Sequence, residues 1–130
     1  MIEAIEYFSE GLKINPEKIN AYLTRGFANL NLSKNQEAIS DFSNAIQLNP
    51  SYEGSYVNRG VAKSNLGDYS GAIFDHSRAI ELNPNYALAF FNRGADKRES
   101  GDLKGACEDW KKAAELGNED AAKLLEENCE

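Results

Sequence analysis

The sequence is poor in the residues from which enzymes and metal centres are built. It has one histidine, His76, and two cysteines, Cys107 and Cys129, in 130 residues. A structural zinc site takes four closely spaced ligands, and a Ser-His-Asp arrangement needs a histidine that can shuttle protons. His76 falls on an apolar helix stripe and reads as a packed core residue. The cysteines fit no metal or redox spacing. They read as a small core residue plus a tail thiol, which suits a reducing compartment and a cytoplasmic location. Catalysis, metal and cofactor are therefore not expected. No apolar run reaches the roughly 18 residues of a membrane span. Met1 to Glu10 carries Glu3 and Glu6 and no basic residue, unlike a secretory leader. Positive charge is also in deficit, with 14 Lys and Arg against 21 Asp and Glu, a net charge of −7. Nucleic acid and anionic membrane want clustered positive charge, so neither is an expected partner. Each glycine lies in a helical stretch or a turn, which leaves no phosphate-binding loop. No segment alternates with period two for long enough to form a strand.

What the sequence does have is a repeat. Pro16, Pro50 and Pro84 recur at an interval of 34, in Ile14-Asn15-Pro16, Leu48-Asn49-Pro50 and Leu82-Asn83-Pro84. Gly26, Gly60 and Gly94 keep the same interval, each preceded by an arginine: Arg25, Arg59 and Arg93. Tyr22, Tyr56 and Phe90 share it, as do Ala38, Ala72 and Ala106 (with Ala4 one period earlier) and Ala45, Ala79 and Ala113. Self-similarity at this period marks a stack of supersecondary units.

Within one period the spacing is helical. Tyr22 and Gly26 share a face, and Ala38, Phe42 and Ala45 form the apolar stripe of a second helix. Turn signals at 31–35, 66–68 and 100–102 separate the two helices. Asp68 and Asp102 are suited to cap the helices that follow, and each Asn-Pro pair ends a second helix. Helices are expected over 2–14, 17–31, 34–48, 52–66, 69–82, 86–99, 103–116 and 119–128. Gly26 with Ala38, Gly60 with Ala72 and Gly94 with Ala106 are expected to face each other where paired helices cross, with aromatic rings filling the space beside them.

These residues resemble the tetratricopeptide repeat, which places an aromatic and a glycine on the first helix, alanine and an aromatic on the second, and proline at the end. Tyr22, Gly26, Ala38, Phe42, Ala45 and Pro50 match one repeat. Tyr56, Gly60, Ala72, Ala79 and Pro84 match the next, and Phe90, Gly94, Ala106, Trp110 and Ala113 a third. Ala4, Phe8, Gly11 and Pro16 match the second half of a repeat. Arg25, Arg59 and Arg93 stand where the family usually has Leu, and Asn29, Lys63 and Lys97 where it often has Tyr. His76 replaces the second-helix aromatic, and Asn118 the last proline. Residues 113–118 also resemble the related Sel1-like repeats. The resemblance implies an all-α, right-handed superhelical solenoid of antiparallel helix pairs that binds a protein or peptide partner in a concave groove. It divides the chain into a half repeat, 1–18, repeats over 19–52, 53–86 and 87–118, and a capping helix, 119–130, that hides apolar surface behind Ala122, Leu124 and Leu125.

Two constellations stand out. Each repeat-borne arginine has an aspartate 16 residues later: Asp41, Asp75 and Asp109. Three partly buried ion pairs, Arg25–Asp41, Arg59–Asp75 and Arg93–Asp109, are expected to fix the angle of each helix pair. The alternatives are solvated charges on two faces, or arginines that meet an acidic ligand. The second constellation is the first-helix face on which the family binds ligands. Leu23, Phe27 and Leu30 form one row, Val57, Val61 and Ser64 the next, and Phe91, Ala95 and Arg98 the last. The competing reading is that these side chains only pack between neighbouring first helices. Asn58 and Asn92 occupy equivalent points on adjacent helices, with Thr24 one repeat earlier, and suit the backbone of an extended peptide. Alternatively they cap or bridge helices. Family members that hold acidic chaperone tails use a clamp of Lys, Asn and Arg. Here its basic positions carry Leu23, Leu88 and Asn92, and one Asn position carries Phe27. Only Asn58 matches, so no carboxylate clamp is expected. Finally, Ile2, Ile5, Phe8 and Leu12 are too many for one neighbouring helix to cover. The N-terminal half repeat is thus expected to associate end to end with a second copy, unless it is a segment of a longer array.

Overall fold

The computed structural model describes residues 15–130, which contain seven α-helices and no strand. They are α1 (Pro16–Asn31), α2 (Asn35–Leu48), α3 (Glu53–Asn65), α4 (Tyr69–Leu82), α5 (Ala87–Glu99), α6 (Leu103–Glu115) and α7 (Glu119–Asn128). The expected helix 2–14, the half repeat and its association surface lie outside the described residues.

Local chemistry fixes where these helices start and stop. Asn15 caps α1 by accepting from the backbone N–H groups of Glu17 and Lys18, with Pro16 in the first helical position. Asp68 and Asp102 cap α4 and α6 through the N–H groups of Gly71 and Gly105, as expected, and Asn118 caps α7 through that of Ala121. The turns inside the helix pairs share one hydrogen-bond pattern. Gly67 and Gly101 have left-handed φ of 83° and 94°, and the next N–H reaches back to the carbonyl of Lys63 at 2.9 Å and of Lys97 at 2.8 Å. This is the Schellman arrangement, which satisfies the last carbonyls of the helix. Asn49 and Asn83 are extended C-caps of α2 and α4, immediately before Pro50 and Pro84.

Each helix packs on the next one in the chain, and the first helices α1, α3 and α5 also touch one another in sequence. Ala38, Ala45, Ala72, Ala79, Ala106 and Ala113 are all fully buried. The rings expected beside the glycines lie directly against them. A Cβ at Gly26 would lie 2.7 Å from the Phe42 ring, and one at Gly60 would lie 2.6 Å from the His76 ring. One at Gly94 would lie 2.6 Å from Trp110 and 3.1 Å from the Ala106 carbonyl oxygen. Glycine therefore makes room for a ring four residues beyond the conserved-register alanine. At Gly94 the Ala106 backbone is close as well.

At the C-terminal end α7 packs on α6 with Ala121, not Ala122, buried, and with Leu124 and Leu125 half-buried beside it. Cys107 and Cys129 are joined in a disulfide, with Cα atoms 5.9 Å apart. This corrects their reading as a core residue and a tail thiol. The turn at 116–118 folds α7 back along α6 and brings position 129 to position 107. Disulfides persist in oxidising surroundings, so unpaired thiols no longer argue for a reducing, cytoplasmic compartment.

Candidate interaction surface

The three arginine–aspartate pairs are present. Arg25, Arg59 and Arg93 each place Nη2 2.7 Å from an oxygen of Asp41, Asp75 and Asp109. In each the Nε also donates to the carboxylate, giving the two-pronged geometry that suits guanidinium. The hydrogen bond to Asp75 holds the Arg59 pKa above its usual value. Each guanidinium also lies 5.5–5.9 Å from the centre of the aromatic ring three residues before it: Tyr22, Tyr56 or Phe90. The network is wider than the spacing implied. Lys63 and Lys97 approach the same carboxylates at 3.1 Å, and Asn29 donates to Asp41 at 3.0 Å. Arg59 and Arg93 further donate to Ser43 and Ser77 on the second helix of the preceding repeat, both at 3.1 Å. These contacts tie one repeat to the next. Arg59 and Arg93 are thereby engaged in structure, whereas the Arg25 side chain, paired with Asp41, is 66% exposed.

The groove rows divide. Val57 is 1% exposed and packs with Tyr56, Ala79 and Ala89, between neighbouring first helices. It cannot contact a ligand, which corrects its place on the groove row. Leu23, Val61 and Phe91 are half-buried against core clusters and show one side to solvent. Phe27 is 48% exposed, with its ring edge-on to Phe42 at 6.0 Å. Arg98 is exposed and lies over Trp110 at 5.3 Å from the ring centre. Asn58 and Asn92 are half-buried, and the side-chain hydrogen bonds among the described residues bypass both amides. Neither therefore caps or bridges helices there.

Asn92 also borders a concavity of about 120 Å³ between α3 and α5, lined by Val61, Ser64, Asn65, His76, Ala95 and Asp96 as well. The sequence reading had His76 as a packed core residue, and it is fully buried. It did not single out Asp96, which is 3% exposed. The signal was available in the period: residues 28 and 62 are alanines, and residue 96 is an aspartate.

Comparison with known proteins agrees with this architecture. The tetratricopeptide-repeat model matches residues 19–52 and again 55–86. Among solved structures, the first TPR of Spaghetti (RPAP3) bound to the HSP90 peptide SRMEEVD superposes with a TM-score of 0.83 at 25% identity, covering 88% of this chain and 92% of that one. The second TPR domain of human RPAP3, in complex with the HSP70 peptide SGPTIEEVD, gives 0.80 at 26% identity, covering 85% and 94%. MamA gives 0.73 at 30% identity, covering 81% of this chain and 61% of its own. No curated protein matched the sequence.

Proposed function

Since the chain belongs to the tetratricopeptide-repeat family, we propose that it is a non-enzymatic protein-interaction module that docks a peptide or partner segment along α1, α3 and α5. The observation that carries this reading is the pair Asn58 and Asn92. Among the described residues their amides have no hydrogen-bond partner, and they sit on equivalent points of adjacent first helices, beside apolar surface from Leu23, Phe27, Val61 and Phe91. An amide offers a donor and an acceptor, so two of them one repeat apart can bond the backbone of an extended segment. The apolar row takes its side chains, and Arg98 at one end suits an acidic group.

Similar domains bind chaperone peptides ending in EEVD. This chain carries Leu23, Phe27, Leu88 and Asn92 where such clamps place their charged and amide groups, with only Asn58 in keeping. Its ligand is accordingly not an acidic C-terminal tail. A second reading, a segment of a longer repeat array, draws on the match to MamA, of which the chain spans 61%.

Selection of a random peptide library on the immobilised chain, followed by an NMR footprint of the winning peptide, tests the proposal. Shifts along Leu23, Phe27, Val61, Phe91 and Asn92 are expected. A footprint confined to α2, α4 and α6 would refute it.

A further inference from the structure

Two positions of the second repeat and one of the third depart from their equivalents, and the departures meet at one place. Position 76 is His where repeats one and three have Phe42 and Trp110. Position 96 is Asp where Ala28 and Ala62 stand earlier in the chain, and position 64 is Ser between Leu30 and Arg98. Ser64 Oγ donates to Asp96 Oδ1 at 2.6 Å, and His76 Nε2 lies 3.3 Å from Asp96 Oδ2. The arrangement is incomplete. His76 Nδ1, His76 Nε2 and Asp96 Oδ2 are buried polar atoms without a hydrogen-bond partner. Buried polar atoms left without a partner are unfavourable, yet all of these belong to residues that line the concavity between α3 and α5.

Charge decides what would satisfy them. Among the described residues, Asp96 and His76 are the ionisable ones lining the concavity. The nearby lysines are engaged, Lys63 with Asp75 and Lys97 with Asp109. The one ion-pair contact of this carboxylate among the described residues is the His76 imidazole at 3.3 Å, which carries charge only when protonated, and a buried carboxylate requires a counter-ion. Asn92, already assigned to the backbone of the bound segment, stands on the rim.

We propose that this concavity receives the cationic end of a lysine or arginine side chain from the bound segment, with Asp96 as counter-ion and Ser64, Asn65 and Asn92 around it. This rests on the reading of the chain as a peptide-binding module and gives that ligand a basic residue at a fixed point. The site is a cation pocket, opposite in sign to a carboxylate clamp.

The test uses N-acetyl-lysine methylamide and N-acetyl-arginine methylamide as probes, with N-acetyl-norleucine methylamide as the neutral control. NMR titration is run with all three probes at one pH and ionic strength. The cationic probes should produce saturable shifts at Asn65, Asn92, Ala95 and Asp96 that norleucine does not. Asp96→Asn should weaken them at least tenfold. Asp96→Ala should do the same in a folded chain, because alanine is the residue found at 28 and 62. Equal shifts with norleucine, unchanged binding in either Asp96 variant, or no shifts at these residues would overturn the pocket. Selected peptides that bind with no basic residue, and equally well to Asp96→Asn, would overturn it while leaving the interaction module standing. Cation binding at Asp96 in a chain that selects no peptide would support the pocket and remove the module.

Discussion

The helix crossings of the first and third repeats are closed by Phe42 and Trp110, and that of the second by His76. All three rings are fully buried. The backbone opposite them does not change: a glycine meets each ring, and an arginine–aspartate pair stands beside it. Glycine and ion pair therefore set the crossing, and the ring can be exchanged without altering it. Trp110 finds a partner for its indole N–H in the Phe91 carbonyl at 3.3 Å. His76 finds no hydrogen bond for either nitrogen. A repeat scaffold can thus carry a polar device at the junction of two units while the glycines and ion pairs hold the fold.

The largest effect expected from breaking this comparison is at the aromatic crossings. Trp110→Ala and Phe42→Ala should each cost about 3–5 kcal/mol, the usual range for emptying a buried aromatic site. His76→Ala should cost less than either in chemical denaturation. An equal cost would mean that the middle crossing is not distinct. Next comes the shared ion pair. Asp75→Ala strips the carboxylate from Arg59 and Lys63, both largely buried, and should cost about 2–3 kcal/mol, below the full price of a deeply buried pair because some solvent remains.

The middle crossing can also be converted to the type of its neighbours. The double variant His76→Phe with Asp96→Ala removes the unpartnered polar atoms and should gain about 1–2 kcal/mol. A loss of stability would show that the polar cluster supports the fold. The smallest effect is at the turns, where the first repeat departs from the others. Ser33 has φ of 62° where Gly67 and Gly101 stand in the later repeats. Its Schellman bond is nonetheless made, from the Lys34 N–H to the Asn29 carbonyl at 2.7 Å. Ser33→Gly should gain about 1 kcal/mol and Gly67→Ala lose about as much, read as opposite shifts in the melting temperature.

The helices were legible because the 34-residue period fixes every register at once, and observed bounds fall within a residue of those expected. The ion pairs were legible because a constant separation of 16 places both partners at one crossing in every repeat. Lys63 and Lys97 escaped notice as members of that network because they were weighed only as departures from the family's tyrosine. Val57 was misplaced because it packs with Ala79 and Ala89 on the two following helices, a degree of burial that its half-buried equivalents Leu23 and Phe91 do not share and that spacing alone does not fix. The cysteine bridge depends on how closely α7 folds back on α6, which no repeat register encodes. Asp96 is not legible in the repeat because it breaks the period where Ala28 and Ala62 keep it. Comparison of each position with its equivalents one period away finds it.

The affinity of a library-selected peptide for the chain and for the double variant Asn58→Ala with Asn92→Ala tests the central claim most directly. Two lost backbone hydrogen bonds should weaken binding by about 1–3 kcal/mol, roughly ten- to a hundredfold, with the melting temperature unchanged. Equal affinity in a folded double variant would contradict the account, because the free amides on α3 and α5 would then not be what holds the ligand.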